Sequence, residues 1–182
     1  MPTLKTARLT LAFPILHDNM TLDHYLRWLN NETVMKFSEQ RHLTHTNETQ
    51  YKYLSSFVDS EDYFWEIQRT GVPIGSITAY RDIPNRKANI GVMIGQPLLW
   101  GNGYASEAMD AVCNFLFDDG CRKIEGGCMA ANSGMIRLFE KLDFTQEARI
   151  GSYVLLDGKP EDAVFYGKYN QAKVIPIKKP SD

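Results

Sequence analysis

The chain is expected to fold as one α/β (α+β) domain, a mixed and mostly antiparallel central sheet flanked by helices. Its 182 residues suit a single core. Apolar residues alternate with a period of two in several short runs and recur at three- and four-residue steps in others, so strands and helices are both present. These runs follow the order β-αα-βββ-α-β-α-ββ with no long linker and no internal repeat. The domain is drawn over residues 1–170 and a C-terminal tail over 171–182.

Residues 8–16 (RLTLAFPIL) read as a first strand whose far end Pro14 confines to an edge or bend. Leu22, Tyr25, Leu26, Trp28 and Leu29 mark an amphipathic helix that fades at Asn30 and Asn31. The polar segment 36–46 reads as a loop closed by Thr46 or Asn47 as N-cap, with a short helix to about Val58. Residues 63–68 and 73–80, joined through Gly71, make a hairpin. A strand follows over 87–95, and its glycines, Gly91 and Gly95, suit close approach by another backbone or a bulge. After Trp100 the pattern turns helical over 104–117 and Gly120 ends the helix. A strand (123–130), a helix from Ser133 to about Leu142 and a last hairpin (144–156, 163–169) complete the domain.

Composition excludes several classes. At 43% hydrophobic and 23% charged residues the chain is neither disordered nor a simple coiled coil. A formal net charge of −2 supplies no general basic surface, so nucleic acid is not an expected partner. Cys113, Cys121 and Cys128 form no CxxC pair, so neither a zinc site nor a disulfide framework is written here. No leader-like or membrane-spanning apolar run is seen, and a cytoplasmic monomer or homodimer, with no membrane partner, is expected.

The segment WGNGYASEA (100–108) sets a Gly-x-Gly between a strand and an amphipathic helix. The first amides of a helix lack intrahelical partners and sit at its positive end, so phosphate oxygens bind there readily. A P-loop is excluded because no Gly-Lys-Ser/Thr follows. A dinucleotide fingerprint fits poorly, since position 106 is serine and the bulky QPLLW separates the strand from the first glycine. A plain tight turn that starts a helix stays open as the alternative.

A second segment, NSGMIRLFEKLDF (132–144), together with LLWGNGYA (98–105), resembles the GNAT superfamily of acyl-CoA N-acyltransferases, closest to the members that acetylate ribosomal-protein N-termini and nucleotide-linked amino sugars. The resemblance spans roughly residues 8–169. It implies a sheet splayed in its middle, between strands 87–95 and 123–130. It also implies acetyl-CoA as cosubstrate, no metal, and a small-molecule or peptide amine as acceptor. The diphosphate would lie on the loop of Leu99, Trp100, Gly101, Asn102 and Gly103, leading into Tyr104 and Ala105. Pantetheine would pair with Val92, Met93 and Ile94, the Met93 amide would polarise the thioester carbonyl, and Asn132 and Phe139 would contact the cofactor. Phe139 stands where relatives often carry a tyrosine that protonates the thiolate, which leaves water, the acceptor amine or a residue such as Ser133 for that task. Asn89 stands where some relatives carry glutamate; it holds a water but abstracts no proton. Glu66, His42 and His45 are the substitutes for a base. Glu39, Arg41 and His42 are the expected acceptor contacts. The alternative function is a non-catalytic acyl-CoA-binding or partner-binding module.

Overall fold

A computed structural model describes residues 1–16 and 19–170, the side chains of 19–22 excepted. The tail expected over 171–182 lies outside the described residues. Eight strands form one sheet: β1 (Leu4–Lys5), β2 (Thr10–Ala12), β3 (Tyr63–Arg69), β4 (Val72–Asp82), β5 (Lys87–Ile94), β6 (Lys123–Met129), β7 (Thr145–Leu156) and β8 (Lys159–Tyr169). Their order is β1-β2-β3-β4-β5-β6-β8-β7. Every neighbouring pair is antiparallel except β5 and β6. The helices are α1 (Asn19–Leu29), α2 (Glu32–Met35), α3 (Asn47–Ser55), α4 (Tyr104–Asp118) and α5 (Ser133–Lys141).

Side-chain alternation divides the core in two. Trp65, Ile67, Ile77 and Ile90 face α4 and α5, where Met109, Val112, Leu116 and Phe139 complete the larger cluster. The opposite face of β3 carries Phe64, which packs with Tyr25, Trp28, Leu54 and Phe57 of the α1–α3 layer. That layer covers β3 and β4. β7, at the sheet edge, is exposed along almost its whole length.

Several local expectations are revised. The first strand is a short hairpin, because residues 6–9 turn through a Thr6 N–H bond to Leu9 O at 3.0 Å, and pairing stops at Ala12, before Pro14. The first helix ends at Leu29, just before Asn30 and Asn31 as expected, but a second short helix follows at once: the Asn31 side chain accepts from the Thr33 and Val34 amides and starts α2. The segment read as loop contains a 3-10 turn over Glu39–His42, capped by Ser38. The next cap is the expected one: Thr46 and Thr49 exchange hydrogen bonds of 3.0 and 3.2 Å. Asn132, expected to contact the cofactor, is also the N-cap of α5, its Oδ1 accepting from the Met135 amide at 3.1 Å. Asp143 takes the left-handed conformation (φ 58°) after α5, which the short polar side chain of an aspartate tolerates. Gly95 does serve a close approach, but to Trp28, whose ring lies where a Cβ would stand.

Candidate active site

β5 and β6 pair over three rungs only, Lys87 with Lys123, Ala88 with Ile124 and Asn89 with Glu125. Beyond Asn89 the strands part, while β5 runs on to Ile94 and β6 to Met129. The register of β5 against β4 decides which groups face the opening. Gly95 N–H donates to Ile74 O at 2.9 Å, and Ile94 is opposed to Gly75, Met93 to Ser76 and Val92 to Ile77. Hydrogen-bonded and non-bonded pairs alternate along an antiparallel ladder. Met93 therefore spends its amide and carbonyl on Ser76, and the main chain of Val92 and Ile94 points into the opening. This corrects the expectation for Met93: its amide is committed to β4 and polarises nothing in the cleft. Trp100 Nε1 donates to Ile94 O at 2.7 Å, which leaves Val92 N–H, Val92 C=O and Ile94 N–H as the groups on that side.

Past the far end of the opening, Leu99 packs on the core and Trp100 turns the chain into the glycine loop. Gly101 (φ 77°) and Gly103 (φ 81°) are both left-handed, a conformation that costs other residues about 1–2 kcal/mol. Gly103 is the N-cap of α4 and brings no side chain to it. Among the described residues no protein oxygen accepts from the amides of residues 101–106; the first to find a partner is Glu107 N–H, to Gly103 O at 3.0 Å. A Cβ at Gly101 would meet nothing within 4 Å, so side chains do not plug the turn. Asn102 is exposed and its Nδ2 donates to Trp100 O at 3.2 Å, Ala105 is half-buried, and Tyr104 is buried beneath two guanidinium groups, Arg8 at 4.5 Å and Arg69 at 5.4 Å from its ring centre. Lys141 Nζ donates to Ser106 Oγ at 3.1 Å, and Ser106 Oγ donates to Gly103 O at 2.9 Å. Arg8, Asn102, Gly103, Ser106 and Lys141 line a cleft of about 320 Å³ beside the loop. A larger cleft of about 570 Å³, lined by Asn114, Asp118 and Lys168, lies at the other end of α4 and contains none of these groups.

The catalytic and acceptor candidates scatter more widely. Asn89 is exposed at the last paired rung, on the α1–α3 face of the sheet and opposite Tyr80. Tyr80 and Tyr53 share a hydroxyl–hydroxyl hydrogen bond of 2.8 Å, a pair the sequence reading did not single out. Burial pushes the Tyr53 phenol far above its ordinary value, so it stays protonated. Glu66 lies on the same face but is buried, and it accepts from Gln68 Nε2 at 2.7 Å; it is neither an exposed charge nor at the opening. His45 is buried between Gln50 Nε2, 2.9 Å from Nδ1, and Gln40 O, 3.2 Å from Nε2, and it braces the 3-10 turn rather than facing a substrate. Glu39 and His42 are exposed on that turn, with His42 Nε2 3.9 Å from Glu39 Oε2. Arg41 is only 15% exposed at its side chain and commits three of its five N–H groups: it donates to Ser38 O at 2.8 Å, Glu39 Oε1 at 2.8 Å and Leu155 O of β7 at 2.7 Å.

Phe139 has no exposed surface; it stacks on Tyr166 with ring centres 4.8 Å apart. A Cβ built on Gly126 would sit 2.8 Å from Phe139 Cζ and 3.3 Å from Ile90 O, so the ring tip backs the vertex where β5 and β6 part. Phe139 thus contributes packing at the vertex, which corrects the expected cofactor contact. Burial pushes the Cys128 thiol up to about 11, which makes it a poor nucleophile.

Arg8 and Glu107 escaped the sequence reading because they lie 99 residues apart. One signal was available: an acidic residue in the first turn of a helix meant to hold an anion requires a cation beside it.

A family profile described as the acetyltransferase (GNAT) domain matches residues 8–145. A search of curated protein sequences finds no match. Among solved structures the chain is similar to a ribosomal-protein-S5-alanine acetyltransferase from Vibrio fischeri (16% identity, TM-score 0.81, 94% of this chain and 98% of that one). It is also similar to RimL, the ribosomal L7/L12 α-N-protein acetyltransferase, in complex with coenzyme A (16%, 0.81, 92% and 98%). A third is the microcin C7 self-immunity acetyltransferase MccE in complex with acetyl-CoA and AMP (18%, 0.78, 90% and 93%). At these identities the likeness is one of fold. The profile spans most of the chain, and the chain therefore belongs to the GNAT acetyltransferase family and is an acetyl-CoA-dependent N-acetyltransferase.

Proposed function

We propose that the protein moves acetyl from acetyl-CoA directly to the α-amino group of a peptide or protein N-terminus, within a ternary complex. The donor side rests on the six amides of residues 101–106 that have no protein acceptor, beside Arg8 and Lys141. They suit a diphosphate. From there an extended arm runs along β5 toward the vertex, adding to the edge that β6 has left; Ile94 N–H meets the arm and Val92 N–H, nearer the vertex, meets the thioester carbonyl. A donor fixed at that oxygen stabilises the charge that develops on it during attack. Asn132 already caps α5 through Oδ1, and its amide nitrogen is the group left for the arm.

The acceptor side is supported by one observation above the rest: Arg41, the cation of the 39–42 turn, is spent on Leu155 O and Glu39, so it offers no charge to a sugar phosphate. The two clefts described above both lie at the ends of α4, and neither is lined by Asn89. The long exposed edge of β7, which Arg41 ties to the 39–42 turn, suits an extended peptide. The amine must be neutral when it attacks. Asn89 orients a water through which the ammonium proton passes to bulk solvent, and exposed His42 receives acceptor groups at the rim. The departing thiolate takes its proton from the Tyr53–Tyr80 pair, whose shared hydrogen bond uses one phenol proton and leaves the other to donate.

Tyr80→Phe is expected to lower kcat about 10²-fold while the KM for acetyl-CoA stays within a factor of two, since general-acid loss acts on the chemical step alone. Unchanged turnover would remove the pair from the reaction. The acceptor is tested by thiol release from acetyl-CoA with peptides bearing N-terminal serine or alanine, nucleotide-linked amino sugars and spermidine. Turnover confined to the peptides is the expected result; turnover confined to an amino sugar or a polyamine would replace this acceptor reading and leave the donor side standing.

A further inference from the structure

We propose that Arg8, from the turn between β1 and β2, is a positioning residue for the diphosphate seat, holding the glycine loop in shape and cancelling the one carboxylate built into the first turn of α4. The proposal rests on the donor reading above. Glu107 lies in that first turn, where the free amides of residues 101–106 gather. A bare carboxylate there is good for the helix and bad for an anionic ligand, because it competes for the same positive end and repels the phosphates. The N-terminal hairpin removes the conflict. Thr6 Oγ1 donates to Glu107 Oε1 at 2.5 Å, Arg8 N–H donates to the same oxygen at 2.9 Å, and Arg8 Nε donates to Oε2 at 2.6 Å.

The same guanidinium reaches the loop itself. Arg8 NH1 donates to Asn102 O at 3.1 Å, between the two left-handed glycines, and its plane lies over the Tyr104 ring. A Cβ at Gly103 would lie 3.5 Å from Arg8 NH2, so the guanidinium borders the seat directly. One side chain thus ties the carboxylate, the loop carbonyl and the first helical residue into one unit. An isolated surface ion pair would contribute little. This pair matters through geometry: the hydrogen bonds to it hold the Glu107 carboxyl below its ordinary value against the opposing effect of burial, so it is ionised at neutral pH and must be matched.

The test compares two donors, acetyl-CoA and S-acetylpantetheine, the second lacking the diphosphate. Wild-type protein is expected to prefer acetyl-CoA; no preference would overturn the diphosphate seat itself. Given the preference, Arg8→Ala should raise the KM for acetyl-CoA about tenfold with kcat nearly unchanged, while kcat/KM for S-acetylpantetheine stays at the wild-type value. Adding Glu107→Gln should recover part of that loss, because the repelling charge goes with its partner. A misfolded variant would instead lose both donors together, and a melting curve identifies it. Equal losses on both donors in a variant that melts like wild type, no loss on either, or no recovery in the double variant would each overturn the positioning role.

Discussion

Val92→Pro is expected to leave a folded protein whose kcat/KM for acetyl-CoA is about 10²- to 10³-fold lower, whereas Met93→Pro, one residue on, is expected to unfold it. The two substitutions remove the same kind of group from adjacent positions of one strand. The Val92 N–H points into the opening between β5 and β6, where the ladder has already ended, so its loss breaks no sheet bond. What goes is a hydrogen-bond donor to the thioester oxygen, and removal of one such donor typically costs about 10²–10³ in rate. The Met93 N–H instead pairs with Ser76 in the middle of the sheet, between Thr78–Gly91 and Gly75–Ile94. Proline there removes an interior ladder bond and sets its ring against β4. Thermal unfolding and steady-state kinetics on both variants check the contrast. A Val92→Pro enzyme with wild-type turnover would show that the donor approaches elsewhere.

Gly103→Val should weaken coenzyme A binding about 10- to 100-fold, the range set by losing one hydrogen bond to a charged group at about 1.5–3 kcal/mol. The cause is the backbone, not a collision. Gly103 sits at φ 81° as N-cap of α4, and its nearest neighbours to a built Cβ are the tips of Arg8, Ser106 and Lys141 at 3.5, 3.7 and 4.0 Å, ordinary contacts. A β-branched residue resists positive φ strongly, so the turn must refold and carry its amides away from their common centre. Calorimetric titration with coenzyme A measures the loss. Binding at wild-type strength would mean that this turn is only a helix start.

The strand at 87–94 and the glycine turn were legible because their signals are local: strict alternation in one, two glycines before an apolar stripe in the other. The capping residue Thr46 was legible for the same reason. Hydrogen-bond direction within β5 was not. Side-chain alternation assigns Met93 and Val92 to opposite faces of the sheet but says nothing about which edge their amides address; that depends on where β4 begins to pair, a property of two strands. Glu66 and His45 misled because a polar residue in a strand or loop reads the same whether it meets solvent or, as here, Gln68 and Gln50. Gly95 answers to Trp28, Arg41 to Leu155 and Arg8 to Glu107, contacts between distant segments that no window of sequence contains.

The most direct measurement follows the backbone amides by NMR during a titration with coenzyme A. The amides of residues 101–106, Val92 and Ile94 are expected to shift together and saturate, with Met93, bonded into the sheet, moving least among the neighbours on its strand. Saturable shifts confined to the far end of α4, around Asn114 and Lys168, with residues 101–106 unmoved, would contradict the account.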